Sequence, residues 1–166
     1  MGYTIRHAFD TDVDGFWRLF FDRDYNRAIA QDFFEFSGYE VLEERTLADG
    51  TLHRRVECKG KRGLPALVRA IVGDGGYVET GSYDSVARRY VGQSVPLVGA
   101  GKFAIDLEVF AQPLAARRCE RIVRVDNTVD IFGVGRTVER AFERSQRESF
   151  DGAAEFTNSW IRAHGY

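Results

Sequence analysis

The chain is poor in cysteine, with only Cys58 and Cys119 among its 166 residues. The two lie far apart and match no CxxC pattern, so the sequence offers neither a disulfide framework nor a thiol pair with metal-ligand spacing. We expect both thiols to stay reduced, in a cytoplasmic protein. A composition that is 44% hydrophobic and 29% charged indicates one foldable globular domain, 1–166.

An excess of positive charge is also missing, since the formal net charge is -2. The chain therefore lacks the basic footprint of a nucleic-acid-binding protein. It has no apolar run long enough to span a bilayer and no signal-peptide hydrophobic region, so we expect no stable membrane insertion. Lys59, Lys61 and Arg62 precede an apolar segment at 64–72, but three charges hold a membrane weakly. We interpret them as a solvated loop, with transient membrane contact as the alternative.

The usual sequence signatures of chemistry are absent as well. His7, His53 and His164 fall on three different predicted elements without ligand spacing, and we interpret them as surface or capping residues. There is no GxSxG motif, and the glycine-rich segment 99–102 is followed by Phe103 where a phosphate-binding loop needs Ser or Thr. The sequence therefore predicts no catalytic residue, no metal ion and no cofactor.

What the sequence does contain is clear hydrophobic periodicity. Apolar and polar residues alternate over Tyr3–Phe9, which predicts a strand. Asp12 is the predicted N-cap of an amphipathic helix that ends at Phe21. A second short helix is predicted over Tyr25–Phe33. The period then changes to two, with a hairpin turn at Asp49–Gly50 and a turn at Ser37–Gly38. Six further strands are predicted, over 39–45, 52–58, 77–84, 87–95, 103–111 and 119–127, with a short helix over 65–72.

The chain closes with a long predicted helix, Arg136–His164. One face of it carries apolar or small residues at steps of three or four. These are Val134, Val138, Ala141, Ser145, Ser149, Gly152, Phe156 and Trp160. Because the middle of this stripe is Ala, Ser, Ser and Gly, either a sheet packs very closely there or space is left for a molecule that is not protein. Strands followed by one long helix predict an α+β fold in which a curved antiparallel sheet wraps round the helix.

Several segments of this order resemble a known superfamily. They are Phe16–Phe21, Asp24–Asn26, Tyr39–Leu42, Gly81–Asp84, Ile131–Gly135 with Val138–Glu139, and Phe156–Trp160. Together they resemble the START-like (SRPBCC, Bet v 1-like) helix-grip fold, and more specifically small bacterial START-like proteins of unknown function that are similar to eukaryotic VASt sterol-binding domains. The resemblance covers nearly the whole chain, and it is more specific for fold than for ligand.

The resemblance implies a deep cavity between the sheet and the long helix, open near the two short helices. Such cavities hold sterols, phospholipids, fatty acyl chains or polyketides. We expect the lining to come from the closing helix and from inward-facing strand positions. The expected lining residues are Val138, Ala141, Phe142, Ser145, Ser149, Gly152, Phe156, Phe103, Ile105, Leu107, Tyr77, Tyr83, Tyr90 and Val123.

Three charged residues share strand faces with apolar neighbours, namely Arg54, Glu79 and Arg121. A charge inside such a cavity must be paired or must face a ligand. One interpretation is a polar patch at the cavity floor that orients a ligand hydroxyl or carboxylate. The other is that these side chains sit at strand ends in water.

The leading functional hypothesis is a non-catalytic binder or carrier of a lipid, a sterol-like molecule or a fatty acyl compound. An enzyme of the polyketide cyclase/aromatase type, or a small hydrolase, is the alternative. Its acid and base would come from Tyr77, Tyr83, Tyr90, Arg54 and Glu79.

A third hypothesis is an interaction module without a ligand. Phe33, Phe34 and Phe36 would then form an exposed partner patch. Phenylalanine is more often inside a protein, which favours packing beneath the second helix instead. The sequence leaves the oligomeric state open.

Overall fold

The computed structural model describes residues 2–63, 69, 73–98, 101, 103–129 and 135–166, and only the backbone of 129, 135–139, 141 and 142. The elements in chain order are β1 (Gly2–Phe9), α1 (Val13–Phe21), α2 (Arg23–Ala28), a π-helical turn (Ile29–Phe33), β2 (Phe36–Thr46), β3 (Leu52–Lys61), β4 (Tyr77–Asp84), β5 (Arg89–Pro96), β6 (Phe103–Ala115), β7 (Arg118–Val129) and α3 (Gly135–His164). These strands form one antiparallel sheet in the order β1-β7-β6-β5-β4-β3-β2. The predicted α+β helix-grip arrangement is confirmed.

The first two helices begin where aspartates cap them. Asp12 accepts a hydrogen bond of 2.7 Å from the Gly15 amide, as predicted, and Asp22 does the same for the Tyr25 amide. Each carboxylate satisfies an amide that has no partner inside its helix. Asp22 alone separates the helices, so α2 begins two residues earlier than the sequence indicated.

The second helix does not continue as predicted to Phe33. It ends at Ala28 and changes into the π-helical turn, closed by a 2.9 Å bond from the Phe34 amide to the Ile29 carbonyl. The chain then reverses at Glu35, whose φ of 58° lies in the left-handed region. The turn predicted at Ser37–Gly38 is wrong, because both residues belong to β2.

The hairpins follow from local turn chemistry. Gly50 has a φ of 84°, which confirms the turn predicted between β2 and β3. Between β4 and β5, Asp84 accepts bonds from the amides of Val86 and Ala87, which lengthens the turn and delays the start of β5 to Arg89. Strand β6 also runs further than predicted, to Ala115. The helix predicted over 65–72 lies almost wholly outside the described residues.

The closing helix α3 packs mainly against β1 and the π-helical turn. Its most buried side chains are Ala153, Ala154, Thr157 and Ile161, which are 1 to 6% exposed. This face is rotated by roughly a third of a turn from the predicted stripe, since each residue advances a helix by about 100°. Ser145 and Ser149 are consequently exposed, and the prediction that they are buried is wrong.

Both cysteines are free and buried, with exposures of 2% for Cys58 and 0% for Cys119. Burial raises the pKa of each thiol to about 11, so the reactive thiolate is scarce at neutral pH. We predict that the native protein does not react with an aromatic disulfide reagent at about pH 8, while the urea-unfolded chain consumes reagent at both thiols. Rapid reaction of either thiol in native buffer would contradict this placement.

Candidate ligand cavity

The middle of β6 is less covered than the strand positions beside it on the same face. Val109, Val123 and Val125 face the concave side of the sheet and are 2 to 4% exposed. Ile105 and Leu107 face the same side and pack against the same core, yet they are only half-buried. An inward apolar side chain that keeps contact with solvent in mid-strand marks an opening on that side of the sheet.

The other wall of the predicted cavity is the small-residue stripe of α3. Ser145 and Ser149 are exposed, which excludes close packing of either serine against the sheet. At Gly152 the packing is close, but the partner is Phe33 of the π-helical turn. A Cβ built on Gly152 would lie 2.7 Å from Phe33 Cζ. Phe156 is half-buried, and the side chains of Val138, Ala141 and Phe142 lie outside the described part of the chain.

A pair of glycines shapes the floor of the concave face. Gly81 and Gly92 are directly opposite each other on β4 and β5. A Cβ on Gly81 would lie 2.1 Å from the Tyr90 hydroxyl oxygen, and one on Gly92 would lie 2.8 Å from Tyr90 Cε1. The two missing side chains therefore let the Tyr90 ring lie flat across both strands.

The Tyr90 hydroxyl is part of a polar cluster. Its hydroxyl donates to Glu79 Oε1 at 2.6 Å, and Ser94 donates to the other oxygen at 3.2 Å. Burial, followed by the neighbouring Glu79 carboxylate, raises the pKa of Tyr90 far above its ordinary value. The phenol therefore stays protonated at neutral pH and acts as a donor.

Arg54 lies on β3, next to the strand that carries Glu79, and is 6% exposed. Its guanidinium donates to the Tyr39 hydroxyl and, at 3.3 Å, to the Phe20 carbonyl, and it stacks 5.7 Å from the Phe21 ring. Among the described residues no carboxylate forms an ion pair with it, and its Nε has no hydrogen-bond partner. The structure thus brings Arg54 and Glu79 to one buried polar cluster without joining them. Their role toward a ligand stays a prediction.

The third predicted polar residue, Arg121, lies elsewhere, between β7, β1 and α3. It is sandwiched between the rings of Phe9 and Phe150, at 5.0 and 5.5 Å. Its Nη2 donates to His7 Nδ1 at 2.9 Å, and His7 Nε2 lies 2.7 Å from Asp151 Oδ1. Burial lowers the pKa of Arg121 to about 10, which leaves it cationic at neutral pH.

His7 is therefore not a surface or capping residue. Its side chain is 13% exposed and connects a buried cation to an exposed carboxylate. Accepting at Nδ1 and donating at Nε2 requires the neutral imidazole. This bridge explains how Arg121 is tolerated in the interior, and it leaves His7 no free nitrogen for base catalysis. His164 matches the prediction, since its Nδ1 bonds the Trp160 carbonyl at 3.0 Å near the end of α3. His53 does not, because it is half-buried within β3 and lies 3.3 Å from the Ser82 hydroxyl.

The bridge can be tested by comparing how His7→Ala and Arg121→Met change the free energy of unfolding. We predict that His7→Ala lowers the free energy of unfolding by about 1–3 kcal/mol, because it leaves buried Arg121 without its hydrogen-bond acceptor. Arg121→Met should cost less, since it removes the need for the bridge and keeps the apolar stem. Urea denaturation measures both, with exposed Arg6→Met as a control. A larger loss in Arg121→Met than in His7→Ala would contradict the proposed order.

The remaining predicted lining residues pack against other parts of the core. Tyr83 packs on Trp17, with ring centroids 4.5 Å apart. Tyr77 packs edge-on against Phe36 at 5.5 Å, and burial beside Cys58 raises the pKa of its hydroxyl well above the ordinary range. Val123 is 2% exposed. Of the predicted lining, Phe103, Ile105 and Leu107 are partly exposed, and Ser145 and Ser149 are exposed.

The predicted phenylalanine patch does not form. Phe36 is 8% exposed, and Phe33 and Phe34 are half-buried with ring centroids 4.8 Å apart. Lys61 lies 5.5 and 5.2 Å from the rings of Phe34 and Phe36 and donates to the Phe34 carbonyl at 2.7 Å. Lys61 is therefore engaged with the core rather than part of a solvated loop.

The described residues offer no metal site and no membrane-spanning helix, and their two grooves lie away from the predicted cavity. No group of three His, Cys, Asp or Glu residues in the described ranges could hold a metal ion. No helix in the described part of the chain has the length and apolarity to cross a membrane. A groove of about 560 Å³ beside Asp14, Arg88 and Pro113 and another of about 310 Å³ beside Trp160 and Tyr166 contain none of the predicted lining residues.

Comparison with solved structures supports the fold. The protein TTHA0849 from Thermus thermophilus matches with a TM-score of 0.71 at 11% identity over 100% of both chains. The Zhui aromatase/cyclase from Streptomyces sp. R1128 matches at 0.67 and 16% identity, over 99% of this chain and 98% of that one. A START superfamily protein from Mycobacterium smegmatis matches at 0.62 and 15% identity, over 96% and 98%.

Sequence comparison is more limited. No curated protein matches the chain. The model of a family described as "Protein of unknown function (DUF2505)" matches residues 4–161. The chain therefore belongs to the DUF2505 family, and its fold is START-like (SRPBCC).

Proposed function

We propose that this protein binds or carries a hydrophobic small molecule, namely a lipid, a sterol-like compound or a fatty acyl chain, between its sheet and α3. The observation that carries the proposal is the half-buried state of Ile105 and Leu107 in the middle of the concave face. On the predicted opposite wall, Ser145 and Ser149 are exposed. Covering such apolar surface is favourable by roughly 25 cal/mol per Å², which gives an apolar ligand a driving force.

The polar cluster supports an oriented ligand. Arg54 retains an unpartnered Nε inside the protein, and an unpaired buried donor costs about 1–3 kcal/mol. Glu79 lies one strand away, on β4, and among the described residues it accepts hydrogen bonds from Tyr90 and Ser94. A ligand hydroxyl or carboxylate at this end of the cavity would satisfy the free donor, while its apolar body covers Leu107.

We also place the protein in the cytoplasm, without stable membrane insertion and with at most transient membrane contact. Two free, buried thiols and the absence of a disulfide between them favour a reducing compartment. No nucleic acid is expected as a partner, because the chain has no excess of basic residues.

Titration with a naphthylamine dye that fluoresces in apolar surroundings tests the proposal. We expect saturable binding of one dye molecule per chain and displacement by at least one of oleic acid, oleyl alcohol, cholesterol or a phosphatidylcholine. Native mass spectrometry of the gently purified protein gives a second readout, a bound mass that organic extraction removes. A dye signal that rises linearly, with no displacement by any of the four lipids, would overturn the proposal.

An enzyme of the polyketide cyclase/aromatase type remains the second candidate, with a hydrolase less favoured. The fold likeness to an aromatase/cyclase supports it, as do the buried Arg54 and Tyr90 with their half-buried partners Tyr39 and Glu79. The two candidates differ in the fate of the ligand. A carrier returns the compound unchanged after prolonged incubation, whereas a cyclase converts a linear poly-β-ketone faster than the Glu79→Gln variant does.

A further inference from the structure

We propose that the polar end of the ligand is a carboxylate bound by Arg54, which rests on the ligand binding proposed above and narrows it to long-chain carboxylic acids. Arg54 is 6% exposed. A guanidinium is always charged, and charges inside proteins are normally paired. Among the described residues, however, no carboxylate forms an ion pair with Arg54, and its buried Nε has no hydrogen-bond partner. The interior therefore holds a cation whose anionic partner is still to be supplied.

The hydrogen bonds that remain to be made around Arg54 need acceptors. Arg54 donates to the Tyr39 hydroxyl oxygen and, at 3.3 Å, to the Phe20 carbonyl. No described residue accepts the proton of the Tyr39 hydroxyl in return. Burial raises the pKa of Tyr39, so the phenol keeps that proton at neutral pH. Arg54 Nε and the Tyr39 hydroxyl thus leave two donors, which match the two oxygens of one carboxylate.

The carboxylate already present in the cluster does not fill this role. Glu79 accepts from Tyr90 and Ser94, which both lie on β5, whereas Arg54 lies on the other side of β4. Glu79 is also half-buried, so solvent screens part of its charge. A ligand hydroxyl would accept from Arg54 as well, but it brings a further donor and no negative charge. A ligand carboxylate brings the charge and no donor.

The register of the sheet connects this cluster to the partly exposed part of β6. Ser94 is directly opposite Glu79 on one side and directly opposite Ile105 on the other. Since neighbouring strands are about 4.8 Å apart, Glu79 and Ile105 are about 10 Å apart along one row of the concave face. Both are half-buried, so solvent reaches both ends of the row. A carboxylate at Arg54 would let its apolar chain extend along this row to Ile105.

The wild-type protein alone tests the nature of the head group. Displacement of the naphthylamine dye at mildly alkaline pH compares oleic acid with oleyl alcohol and methyl oleate, which carry the same chain. We expect oleic acid to bind at least about tenfold more tightly than either, because only its ionised head group offsets the charge of Arg54. Methyl oleate binding as tightly as oleic acid would overturn the proposal. Tighter binding of oleyl phosphate would also overturn it, since the site would then select a phosphate.

The residues are tested by two substitutions and a control. Arg54→Met should weaken the binding of oleic acid by about 10- to 100-fold and leave that of oleyl alcohol within about threefold. Tyr39→Phe removes a single hydroxyl and should weaken oleic acid by about three- to tenfold, a test that does not depend on how well the Arg54→Met protein folds. Arg55→Met is the control, because Arg55 is exposed on the opposite face of β3.

The outcomes separate the carboxylate from the binding function. An equal loss of oleic acid and oleyl alcohol in Arg54→Met would overturn the proposal, because Arg54 would then maintain the site without recognising the head group. Saturable dye binding with no preference for the acid would overturn it too, while the proposed function stands. Absence of saturable binding of the dye and of every ligand would overturn both.

Discussion

Replacing Leu107 by tryptophan should weaken dye and lipid binding by at least about 100-fold while leaving the fold intact. Leu107 lies in the middle of the sheet, opposite Val125 and Gly92, with its side chain toward the opening. In the proposed cavity the added indole would take the space of the ligand, so little strain is expected. Fluorescence titration measures affinity, and thermal unfolding measures stability.

The matched control is Val91→Trp. Val91 lies on the adjacent strand, is 46% exposed and faces the convex side of the sheet. It should bind the dye as the wild type does. The opposite result would be a Leu107→Trp protein that is strongly destabilised but whose folded fraction binds the dye with wild-type affinity. The surroundings of Leu107 would then be packed, and the cavity would lie elsewhere.

Replacing Gly81 by alanine should destabilise the protein by about 1–3 kcal/mol, the usual cost of overpacking a closed core. The new Cβ would overlap the Tyr90 hydroxyl, at 2.1 Å, so the rigid ring has to leave the floor of the sheet. Moving it also breaks the bond to Glu79, which strands a carboxylate among buried neighbours. The expected fall in Tm is about 2–12 °C, because each kcal/mol lowers Tm by about 2–4 °C in a chain of this length.

Gly92→Ala should have a smaller effect of the same sign, because its Cβ meets the ring edge at 2.8 Å. Gly38→Ala is the control, since its Cβ would make an ordinary contact of 3.7 Å with Lys59 Cβ on β3. Gly38→Ala should be neutral. Equal stability of the Gly38→Ala and Gly81→Ala proteins would show that Tyr90 does not need the glycine pair.

Much of the fold was readable from sequence because its signals are local. The Asp12 cap, the turn at Gly50 and the two-residue alternation of the strands each depend on neighbours in the chain. The same alternation correctly predicted that the side chains of Arg54 and Arg121 face inward. Nothing in the sequence showed that these two arginines lie in separate parts of the protein.

The face of α3 was harder to predict, because periodicity defines stripes without naming their partners. The small-residue stripe contains Gly152, which the π-helical turn covers, and Ser145, which nothing among the described residues covers. The face buried against β1 is instead centred on Ala154 and Thr157. A helix that alternates charged, small and apolar residues offers more than one candidate face, and tertiary packing decides between them.

The glycine pair beneath Tyr90 was also missed, although its signal is present. Gly81 and Gly92 sit at inward positions of two strands joined by a hairpin, and a strand glycine often marks a close approach. The bridge from Arg121 through His7 to Asp151 had no comparable signal, because His7 is more than 100 residues from each of its two partners.

The most direct test of the account is a methyl NMR titration of the wild-type protein with oleic acid and, separately, with cholesterol. The account predicts saturable shifts of the Ile105 and Leu107 methyl signals with at least one of the two, while the exposed Leu42 and Leu47 methyls stay in place. Shifts confined to surface methyls such as those of Val86 and Leu114, or no saturable shift with either ligand, would contradict it.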